Sequence, residues 1–325
     1  MLAELSTAIL AASGQRPPET LRTPLVRSAG LSRLYGCEVL LKCEHLQTTG
    51  SFKYRGASNK VRLLSADERR RGVVAASSGN HGQAVALAAR TAGVSATVYT
   101  ATTASPAKLD AIRAYGAELR LIDGPPLDAE ILARKEAETS GRTFISPYND
   151  LDVIAGQGTI GLELLEQAPS LDAVFVSVGG GGLAAGIGAA LRGAGSRAQL
   201  VGCWPENSTA LLQSIEAGRI LDVEESETVS DGTAGGVEPG SVTLPLCTEL
   251  LQERVTVSED AIGRAMWEVA RHERWIIEGA AGVAFAGLEA LRERMRGRTV
   301  AVVACGRNID AVKYLRTISP WSPAP

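Results

Sequence analysis

The sequence predicts an α/β protein built on two open parallel sheets, and three observations support this prediction. Apolar segments of strand length alternate with helical patterns along most of the chain. The hydrophobic 45% of the residues are mostly small or aliphatic, with only 4% aromatic residues, which suits helices packed closely on a sheet. The length of 325 residues allows two domains of about 150 residues each.

The first series of strands and helices is predicted within residues 73–146. Its strands begin at Val73, Ser95, Leu119 and Thr143, and its helices cover 83–92, 109–115 and 127–138. Strands that are joined through helices pair in parallel, because the helix returns the chain to the same end of the sheet. We therefore expect a small four-stranded domain in this part of the chain.

A second series begins with a helix at Leu151 and ends with a buried strand at 299–305. Between them we expect strands at 173–178 and 199–204, helices at 183–191 and 211–217, and a helix capped by Ser258. The segment before residue 73 contains a strand at 39–44 but no sheet of its own, so it must join this larger unit. The predicted domains, which face each other across a cleft, are a large one, 1–72 plus 147–325, and a small one, 73–146.

Composition and charge exclude several classes of protein. The net charge of -3, with both signs spread along the chain, argues against a nucleic-acid partner. No apolar run reaches the roughly 20 residues that cross a bilayer, and the N-terminus lacks the basic segment of a signal peptide. Five cysteines without CxxC spacing predict a reducing, cytoplasmic location, and three histidines offer little material for a metal site or a Ser-His-Asp triad.

A run of glycines marks one candidate site at the end of a predicted strand. Gly179, Gly180, Gly181 and Gly182 precede Leu183, where a helix is expected to begin. Backbone N–H groups in such a loop can converge on an anion, with the positive end of the helix dipole behind them. Two alternatives stay open: a tight turn without a ligand, or a dinucleotide site, since the first and third glycines fit the pattern of an NAD-dependent oxidoreductase.

Two further turns contain reactive or hydrogen-bonding side chains. The turn Ser77-Ser78-Gly79-Asn80-His81-Gly82 could hold a carboxylate at a helix N-terminus, and the alternative is ordinary helix capping. Lys53 lies between Phe52 and Tyr54 in a turn that glycine and serine flank. Such a lysine could have a lowered pKa and attack a carbonyl carbon, although a solvated surface charge is the commoner role of a single lysine.

Together and in this order, four motifs resemble the fold-type II pyridoxal phosphate enzymes. The motifs are SFKYRGA, SSGNHGQA, GGGGL and EGAAG, the last at Glu278–Gly282. The resemblance extends from Thr23 to Asn308 and is greatest to the serine/threonine dehydratase and serine racemase group. It implies the fold of the tryptophan synthase β subunit, pyridoxal 5'-phosphate (PLP) in the cleft between the domains, and a homodimer.

The resemblance also implies roles for individual residues around the cofactor. Lys53 matches the lysine that forms the Schiff base with PLP and later removes the α-proton of the substrate. Phe52 matches the residue against the cofactor ring, and Asn80 matches the amide that binds the ring hydroxyl. The residues of the phosphate cradle are Gly179, Gly180, Gly181, Gly182 and Leu183. The residues at the substrate carboxylate are Ser77, Asn80 and His81.

Three positions differ from the usual pattern of the family. Cys305 stands where a neutral hydroxyl usually faces the ring nitrogen, and Arg307 replaces a glycine, so its side chain could contact the cofactor, the substrate or solvent. In the segment that binds a divalent cation in some relatives, Trp204 and Ala210 replace the carboxylates, which predicts no metal there and leaves Glu206 only for a shifted site. Asp231 lies in a segment that matches the family's loop beside the active site, and the same loop contains Glu238. Two alternatives stay open for Asp231: it binds the substrate, or it is a solvated carboxylate.

These features predict an ammonia-lyase that eliminates water from a small β-hydroxy amino acid, L-threonine or L-serine. A serine or related amino-acid racemase is the alternative, since Ser78 matches the acid/base on the face opposite the lysine in serine racemases. A β-replacement synthase and an inactive amino-acid sensor are disfavoured, the latter by the intact Lys53. Because the sequence ends soon after Asn308, we expect no C-terminal regulatory domain.

Overall fold

Two sheets organise the chain in the computed structural model, which describes residues 1–104, 106–124 and 126–322. The strands of the described residues are β1 (Leu25–Arg27), β2 (Glu38–Lys42), β3 (Val73–Ala76), β4 (Ala96–Ala101), β5 (Glu118–Ile122), β6 (Thr143–Phe144), β7 (Ala173–Ser177), β8 (Gln199–Pro205), β9 (Glu253–Val257) and β10 (Thr299–Val303). The larger sheet has the order β1-β2-β10-β7-β8-β9, and the smaller has the order β5-β4-β3-β6. The predicted α/β class with two open sheets is confirmed.

Pairing between strands is parallel throughout the smaller sheet. It is also parallel in the larger sheet, except that the edge strand β1 runs antiparallel to β2. The sequence did not predict β1, which has three residues, or β9, in which partly buried and exposed positions alternate before a buried last residue. Both are edge strands, and neither contains the continuous apolar run that identifies a strand buried on both faces.

Helices cover both sheets. They are α1 (Leu2–Gly14), α2 (Ala29–Tyr35), α3 (Lys53–Leu63), α4 (Ala66–Arg71), α5 (Asn80–Thr91), α6 (Pro106–Ala114), α7 (Pro126–Ser140), α8 (Leu151–Gln167), α9 (Gly182–Gly193), α10 (Ala210–Ala217), α11 (Thr243–Leu250), α12 (Glu259–Glu273), α13 (Gly279–Ala290), α14 (Arg292–Met295) and α15 (Ala311–Ile318), with 3₁₀ turns at Glu44–Leu46 and Ser319–Trp321. Side chains fix several starts: Asp150 accepts two backbone N–H bonds at the start of α8, and Ser258 caps α12 as expected. None of the described helices combines the length and the apolar character that a membrane span needs.

Glycines bring α3, α8 and α9 into backbone contact. A Cβ on Gly156 of α8 would lie 2.4 Å from the carbonyl oxygen of Arg55 in α3, and a Cβ on Gly186 of α9 would lie 2.6 Å from that of Ile154 in α8. Any larger residue at these positions would push the helices apart. The many small residues of the composition therefore place α3, which begins at Lys53, firmly against the larger sheet's helices.

The hydrophobic core of the smaller sheet extends beyond the predicted small domain. Side chains of β3, β4 and α5 pack there with Tyr54, Ala57 and Val61 of α3 and with Val153 of α8. The sheet itself lies within residues 73–144. The predicted boundaries at 72 and 146 stay a prediction, because α3 and α8, which lie outside these bounds, contribute side chains to the core of the smaller sheet.

A buried ionic cluster lies beneath the start of α3. The guanidinium of Arg55 donates to both carboxylate oxygens of Glu44, each at 2.8 Å, and to those of Glu163 at 2.8 and 2.9 Å. Lys42 also donates to Glu163, at 2.6 Å. All four side chains are almost inaccessible to solvent. Arg55 follows Lys53 closely on α3, so this cluster anchors the turn from which Lys53 projects.

Candidate active site

Lys53 lies at the first residue of α3, on a turn held against the end of β10. The N–H of Phe52 donates to the carbonyl of Cys305 at 3.0 Å, and Ser51 forms an isolated bridge with Gly306. The Lys53 Nζ donates to the carbonyl of Pro147 at 2.9 Å. Burial lowers the pKa of Lys53 to about 8, against the opposing effect of Cys305 and Glu278. The sequence-based expectation of a lysine with a lowered pKa agrees with this environment.

The lowered pKa predicts how attachment of PLP to the apoprotein depends on pH. Only the neutral amine attacks an aldehyde carbon, so below pH 8 the protonated Lys53 should react slowly, and the rate should rise with pH to a plateau. We expect the half-maximal rate near pH 8 rather than near the ordinary lysine value of 10.5. The measurement is the rate at which the visible absorption band forms after PLP is added. A midpoint near 10.5 would contradict the burial argument.

The glycine loop connects β7 to α9 and has no room for side chains. A Cβ at Gly179 would lie 2.7 Å from the carbonyl oxygen of Thr233, and one at Gly180 would lie 2.4 Å from the ring of Tyr148. Gly181 has φ +89°, a left-handed conformation that favours glycine, and it caps the N-terminus of α9. The N–H groups of the first turn of α9 have no partners within the helix and point into the loop. These features suit an anion site made of backbone amides, and the role of the loop as the phosphate cradle stays a prediction.

Substitution of Gly181 by alanine should weaken cofactor binding. The added Cβ would lie 2.7 Å from Leu211 Cδ2 and 2.9 Å from Cys247 Sγ, and it would force the loop to move. We expect the affinity for PLP to fall by about tenfold or more, equivalent to about 1.4 kcal/mol. Titration of the apoprotein with PLP measures this.

Gly195→Ala is the matched control for that variant. Gly195 lies just beyond the other end of α9 and also has a positive φ of 68°, but a Cβ there would meet nothing within 4 Å. Both variants bear the same backbone strain of about 1–2 kcal/mol. Equal PLP affinity in the two variants would show that the loop geometry does not matter for binding.

The turn before α5 offers a second anion site on the opposite side of the cleft. The Ser77 Oγ accepts a hydrogen bond from the N–H of Gly79 at 3.1 Å, and Ser78 is partly buried beside it. The first N–H groups of the 12-residue α5 have no partners within the helix and lie at its positive end. This arrangement suits a carboxylate. The roles of Ser77 and Ser78 toward substrate stay predictions.

His81 lies at the second residue of α5, with its ring buried. The Nε2 atom is 2.8 Å from the carbonyl oxygen of Ile145, which only accepts, so the ring proton resides on Nε2. Burial and the nearby Lys53 lower the pKa of His81 to about 3, and the ring is therefore neutral. Since the ring proton is already donated, only the backbone N–H of His81 is free to bind a carboxylate. The role of His81 in substrate binding stays a prediction.

Asn80 is held between two residues to which the sequence analysis assigned no role. Its Nδ2 donates to Glu278 at 2.7 Å, and its Oδ1 accepts from the Nδ2 of Asn308 at 2.6 Å. Burial, together with the charge of Asp231, raises the pKa of Glu278 to about 7. The one available signal in the sequence was a carboxylate within an otherwise apolar segment, just before the glycines of α13.

Cys305 and Arg307 occupy different environments at the end of β10. Burial raises the pKa of the Cys305 thiol well above its ordinary value, with Glu278 adding to the effect, so the thiol is neutral. A neutral group agrees with the predicted partner for the ring nitrogen, which stays a prediction. The Arg307 side chain is exposed, and its backbone N–H donates to the carbonyl of Gly50 at 2.9 Å. The three alternatives for Arg307 stay open, since an exposed side chain at this edge can meet a ligand or solvent.

Asp231 and Glu238 form ion pairs with helices of the smaller sheet. Lys108 of α6 lies 2.7 Å from Asp231, and Arg134 of α7 lies 2.6 Å from Glu238. The backbone N–H of Glu238 also donates to the Tyr148 hydroxyl at 3.0 Å, which ties this loop to the packing behind the glycine loop. Contact of Asp231 with substrate stays a prediction. The loop between α10 and α11 thus bridges the two sides of the cleft.

The segment 204–210, at the end of β8, differs from a metal site in its side chains. Trp204 is buried and Glu206 is exposed, while Ser208 donates to Glu225 at 2.7 Å. Within the described residues, no three His, Cys, Asp or Glu side chains are grouped so that they could hold a metal ion. The absence of a metal at 204–210 stays a prediction that chelation experiments can test.

Comparison with known proteins agrees with this site. The sequence pattern of the pyridoxal-phosphate dependent enzyme family matches residues 17–306. An L-threonine ammonia-lyase of Thermotoga maritima is 41% identical over 92% of this chain and 74% of its own length. A serine racemase of Schizosaccharomyces pombe is 33% identical over 92% of both chains.

The solved structures agree as well. The processed form of threonine deaminase isoform 2 from Solanum lycopersicum superimposes with a TM-score of 0.92, covers 98% of this chain and 92% of its own, and is 33% identical. The structure and these relatives share the two-sheet fold, and the family pattern spans the lysine, the serine turn and the glycine loop. The chain therefore belongs to the pyridoxal-phosphate dependent enzymes of fold type II, and PLP is its cofactor.

Proposed function

We propose that this protein eliminates water from L-threonine or L-serine and releases a 2-oxo acid and ammonia. The observation that supports this most strongly is Lys53, a partly buried amine with a pKa near 8, close to two helix N-termini whose first backbone N–H groups have no partners within the helix. One terminus suits the cofactor phosphate and the other the substrate carboxylate. The threonine ammonia-lyase and threonine deaminase among the relatives support the same reaction.

The residues present fit PLP. The glycine loop accepts a phosphate without a cationic side chain, because its four positions leave space only for backbone amides. The neutral Cys305 suits a ring nitrogen that is not strongly protonated, and Asn80 offers an amide to the ring hydroxyl. A dinucleotide site is disfavoured, since the family pattern assigns this loop to PLP enzymes.

The mechanism follows from what these side chains can hold or move. Bound PLP supplies an electron-withdrawing ring that stabilises negative charge at the substrate Cα. The turn before α5 fixes the substrate carboxylate, which directs the Cα–H bond toward Lys53. With a pKa near 8, the Nζ of Lys53 can take the Cα proton at neutral to slightly basic pH. The Cβ–O bond then breaks, and the hydroxyl group leaves as water with the proton that Lys53 took from Cα. The enamine that is released reacts with one water to give the 2-oxo acid and ammonia.

A substrate assay tests this proposal directly. The purified holoenzyme is incubated with L-threonine and with L-serine, and 2-oxo acid, ammonia and D-amino acid are each measured. We expect 2-oxo acid and ammonia in equal amounts, with and without EDTA. Formation of D-amino acid without ammonia would overturn the elimination assignment in favour of a racemase. Loss of activity in EDTA that magnesium restores would contradict the predicted absence of a metal.

Racemisation is the second candidate, and Ser78 is the observation that favours it. Ser78 lies next to Ser77 on the turn before α5, on the small-sheet side of the cleft from Lys53, and it is accessible enough to meet a substrate. If D-serine is formed, Ser78→Ala should abolish it, because reprotonation from that side needs the hydroxyl, while water elimination should continue through Lys53. Unchanged D-serine formation in the variant would exclude Ser78 as the acid.

We infer that the protein is a cytoplasmic homodimer. All five cysteines are buried and free in the described part of the chain, which suits a reducing compartment. Apolar side chains are exposed at Ile276, Val312 and Leu315, with exposed fractions of 55%, 55% and 61%, and are available to an interface between two chains. Light scattering of the purified protein measures its mass, and the mass of a single chain would contradict the dimer.

A further inference from the structure

Four groups form a hydrogen-bonded chain through Asn80. Asn308 donates from Nδ2 to the carbonyl of Thr49 at 2.7 Å and to the Oδ1 of Asn80 at 2.6 Å. Asn80 then donates from Nδ2 to the Oε1 of Glu278 at 2.7 Å. The residues come from both sides of the cleft, since Asn80 follows β3 of the smaller sheet, whereas Asn308 follows β10 and Glu278 precedes α13.

The direction of this chain is determined by its two ends. The carbonyl of Thr49 can only accept, and so can the carboxylate of Glu278 above its pKa of about 7, where it is ionised. The Asn308 amide must therefore use its two hydrogens for Thr49 and Asn80, and the Asn80 amide must turn its oxygen toward Asn308 and its nitrogen toward Glu278. One hydrogen on the Asn80 Nδ2 remains available, at a direction that the other three bonds define.

Close packing prevents Glu278 from leaving this position. The backbone N–H of Glu278 donates to the carbonyl of Gly306 at 3.1 Å. A Cβ at Gly306 would lie 2.2 Å from the Oε1 of Glu278 and 3.3 Å from the Nδ2 of Asn80, so only glycine fits there. Glu278 itself is 4% exposed. Burial of a carboxylate with an amide as its partner lowers the stability of the folded protein. A role in the site explains why such a group is present.

We propose that Glu278 and Asn308 are positioning residues, which orient the amide of Asn80 so that its remaining N–H faces the ring hydroxyl of bound PLP. This inference rests on the proposed role of Asn80 beside the cofactor ring. Neither residue needs to touch the cofactor itself. The network spans the cleft, so the orientation is complete only when the smaller sheet approaches β10 and α13, as it does here.

The test is Asn308→Asp in the holoenzyme at pH 8, where Glu278 is ionised. The substituted carboxylate has nearly the shape of the amide but cannot donate, so it repels the Asn80 oxygen and favours rotation of that amide. We expect the visible absorption band of the bound cofactor to shift and the affinity for PLP to fall by about tenfold, the effect of one misdirected hydrogen bond. Asn308→Ala, which removes the donors without adding charge, serves if the aspartate variant does not fold.

Two further variants separate positioning from folding. In the double variant Glu278→Gln with Asn308→Asp, the introduced glutamine amide can donate to the reversed Asn80 amide. The melting temperature should therefore recover relative to Asn308→Asp, while the cofactor band stays shifted. Asn59→Asp is the matched control. Asn59 likewise donates to a backbone carbonyl, that of Asp152, at 2.7 Å, and it accepts a hydrogen bond from Arg62 at 2.9 Å. It lies further along α3 than Lys53. The substitution should lower stability and leave the band unchanged.

The outcomes are distinct. Two results would overturn the proposal by showing that the network only stabilises the fold. One is a wild-type cofactor band and PLP affinity in Asn308→Asp. The other is a cofactor band that recovers in the double variant together with the melting temperature. A shift that persists in the double variant and is absent in Asn59→Asp supports it. A wild-type protein without any visible band would instead refute the proposed use of PLP, and this inference with it.

Discussion

Replacing Lys53 with alanine is expected to abolish both the covalent attachment of PLP and turnover. Lys53 is the amine at the centre of the site, with its Nζ 2.9 Å from the carbonyl of Pro147 and its pKa lowered to about 8. Its loss removes the group that links to PLP and also the base at the substrate Cα. The rate should fall by at least about 10³-fold, because a positioned acid–base group alone contributes roughly 10²–10⁴-fold. PLP can still bind in the glycine loop, but borohydride should no longer fix it to the protein.

Lys60→Ala is the matched control on the same helix. Lys60 lies seven residues further along α3 and already pairs with Asp150 and Asp152 at 2.8 and 2.9 Å. We expect this variant to keep the visible band, the borohydride reaction and turnover. Elimination that persists at the wild-type rate in Lys53→Ala would refute the assigned role of Lys53 as attachment point and base.

The largest expected effect on stability comes from Arg55→Met. Its guanidinium bridges Glu44 and Glu163, and its removal leaves two buried carboxylates with Lys42 as their remaining buried cation. Breaking a buried ion pair from one side costs about 3–5 kcal/mol in the free energy of unfolding, far more than the loss of the pair's own attraction. Denaturation of the holoenzyme by urea measures this change, and the cofactor band follows unfolding at the site.

Arg294→Ala is the contrasting variant, since Arg294 pairs with Glu253 at 2.6 Å on the surface. An exposed pair contributes at most about 1 kcal/mol, so this variant should remain close to the wild type. A similar stability of both variants would show that the buried cluster is not what anchors α3. Replacement of the whole cluster with apolar residues could restore stability, which a single substitution cannot.

The same cluster predicts a dependence of stability on pH. Burial alone would raise the pKa of Glu163, but Arg55 and Lys42 outweigh it and hold this pKa below its ordinary value. A carboxylate with a lowered pKa in the folded state stabilises the protein above its ordinary pKa, and the stabilisation is lost as pH falls through the lower value. We expect part of the acid destabilisation to disappear in Glu163→Gln, even though this variant is less stable at neutral pH. Urea denaturation of both proteins across the acidic range measures the difference.

The chemical identity of the site could be predicted from local sequence. Lys53, the turn at Ser77 and the glycines from Gly179 each lie within a short segment, and each segment's residue types serve one physical purpose. The glycine loop is an example: four residues without side chains at the end of a buried strand leave only backbone amides to bind a ligand. The structure places these segments at the cleft where parallel strands end, as strand-to-helix turns should be.

The partners of Asn80 could not be found in this way. Glu278 and Asn308 are separated from Asn80 by 198 and 228 residues along the chain, and neither has a local pattern that identifies a partner. The environment of His81 was equally hidden, because its hydrogen bond to Ile145 depends on how β6 approaches α5. Short edge strands such as β1 were missed because they lack an apolar run.

The sequence by itself determined the fold class and the cofactor and predicted Lys53 as the lysine that binds it, since these depend on the periodicity of apolar residues and on motifs confined to a few positions. Only the tertiary structure decided the pKa of Lys53, the exposure of Arg307, and the pairing of Asp231 with Lys108. Each of these depends on burial and on charges brought close by packing of the two sheets. Hydration and electrostatic energies vary with distances of a few ångströms, and such distances exist only once the chain has folded.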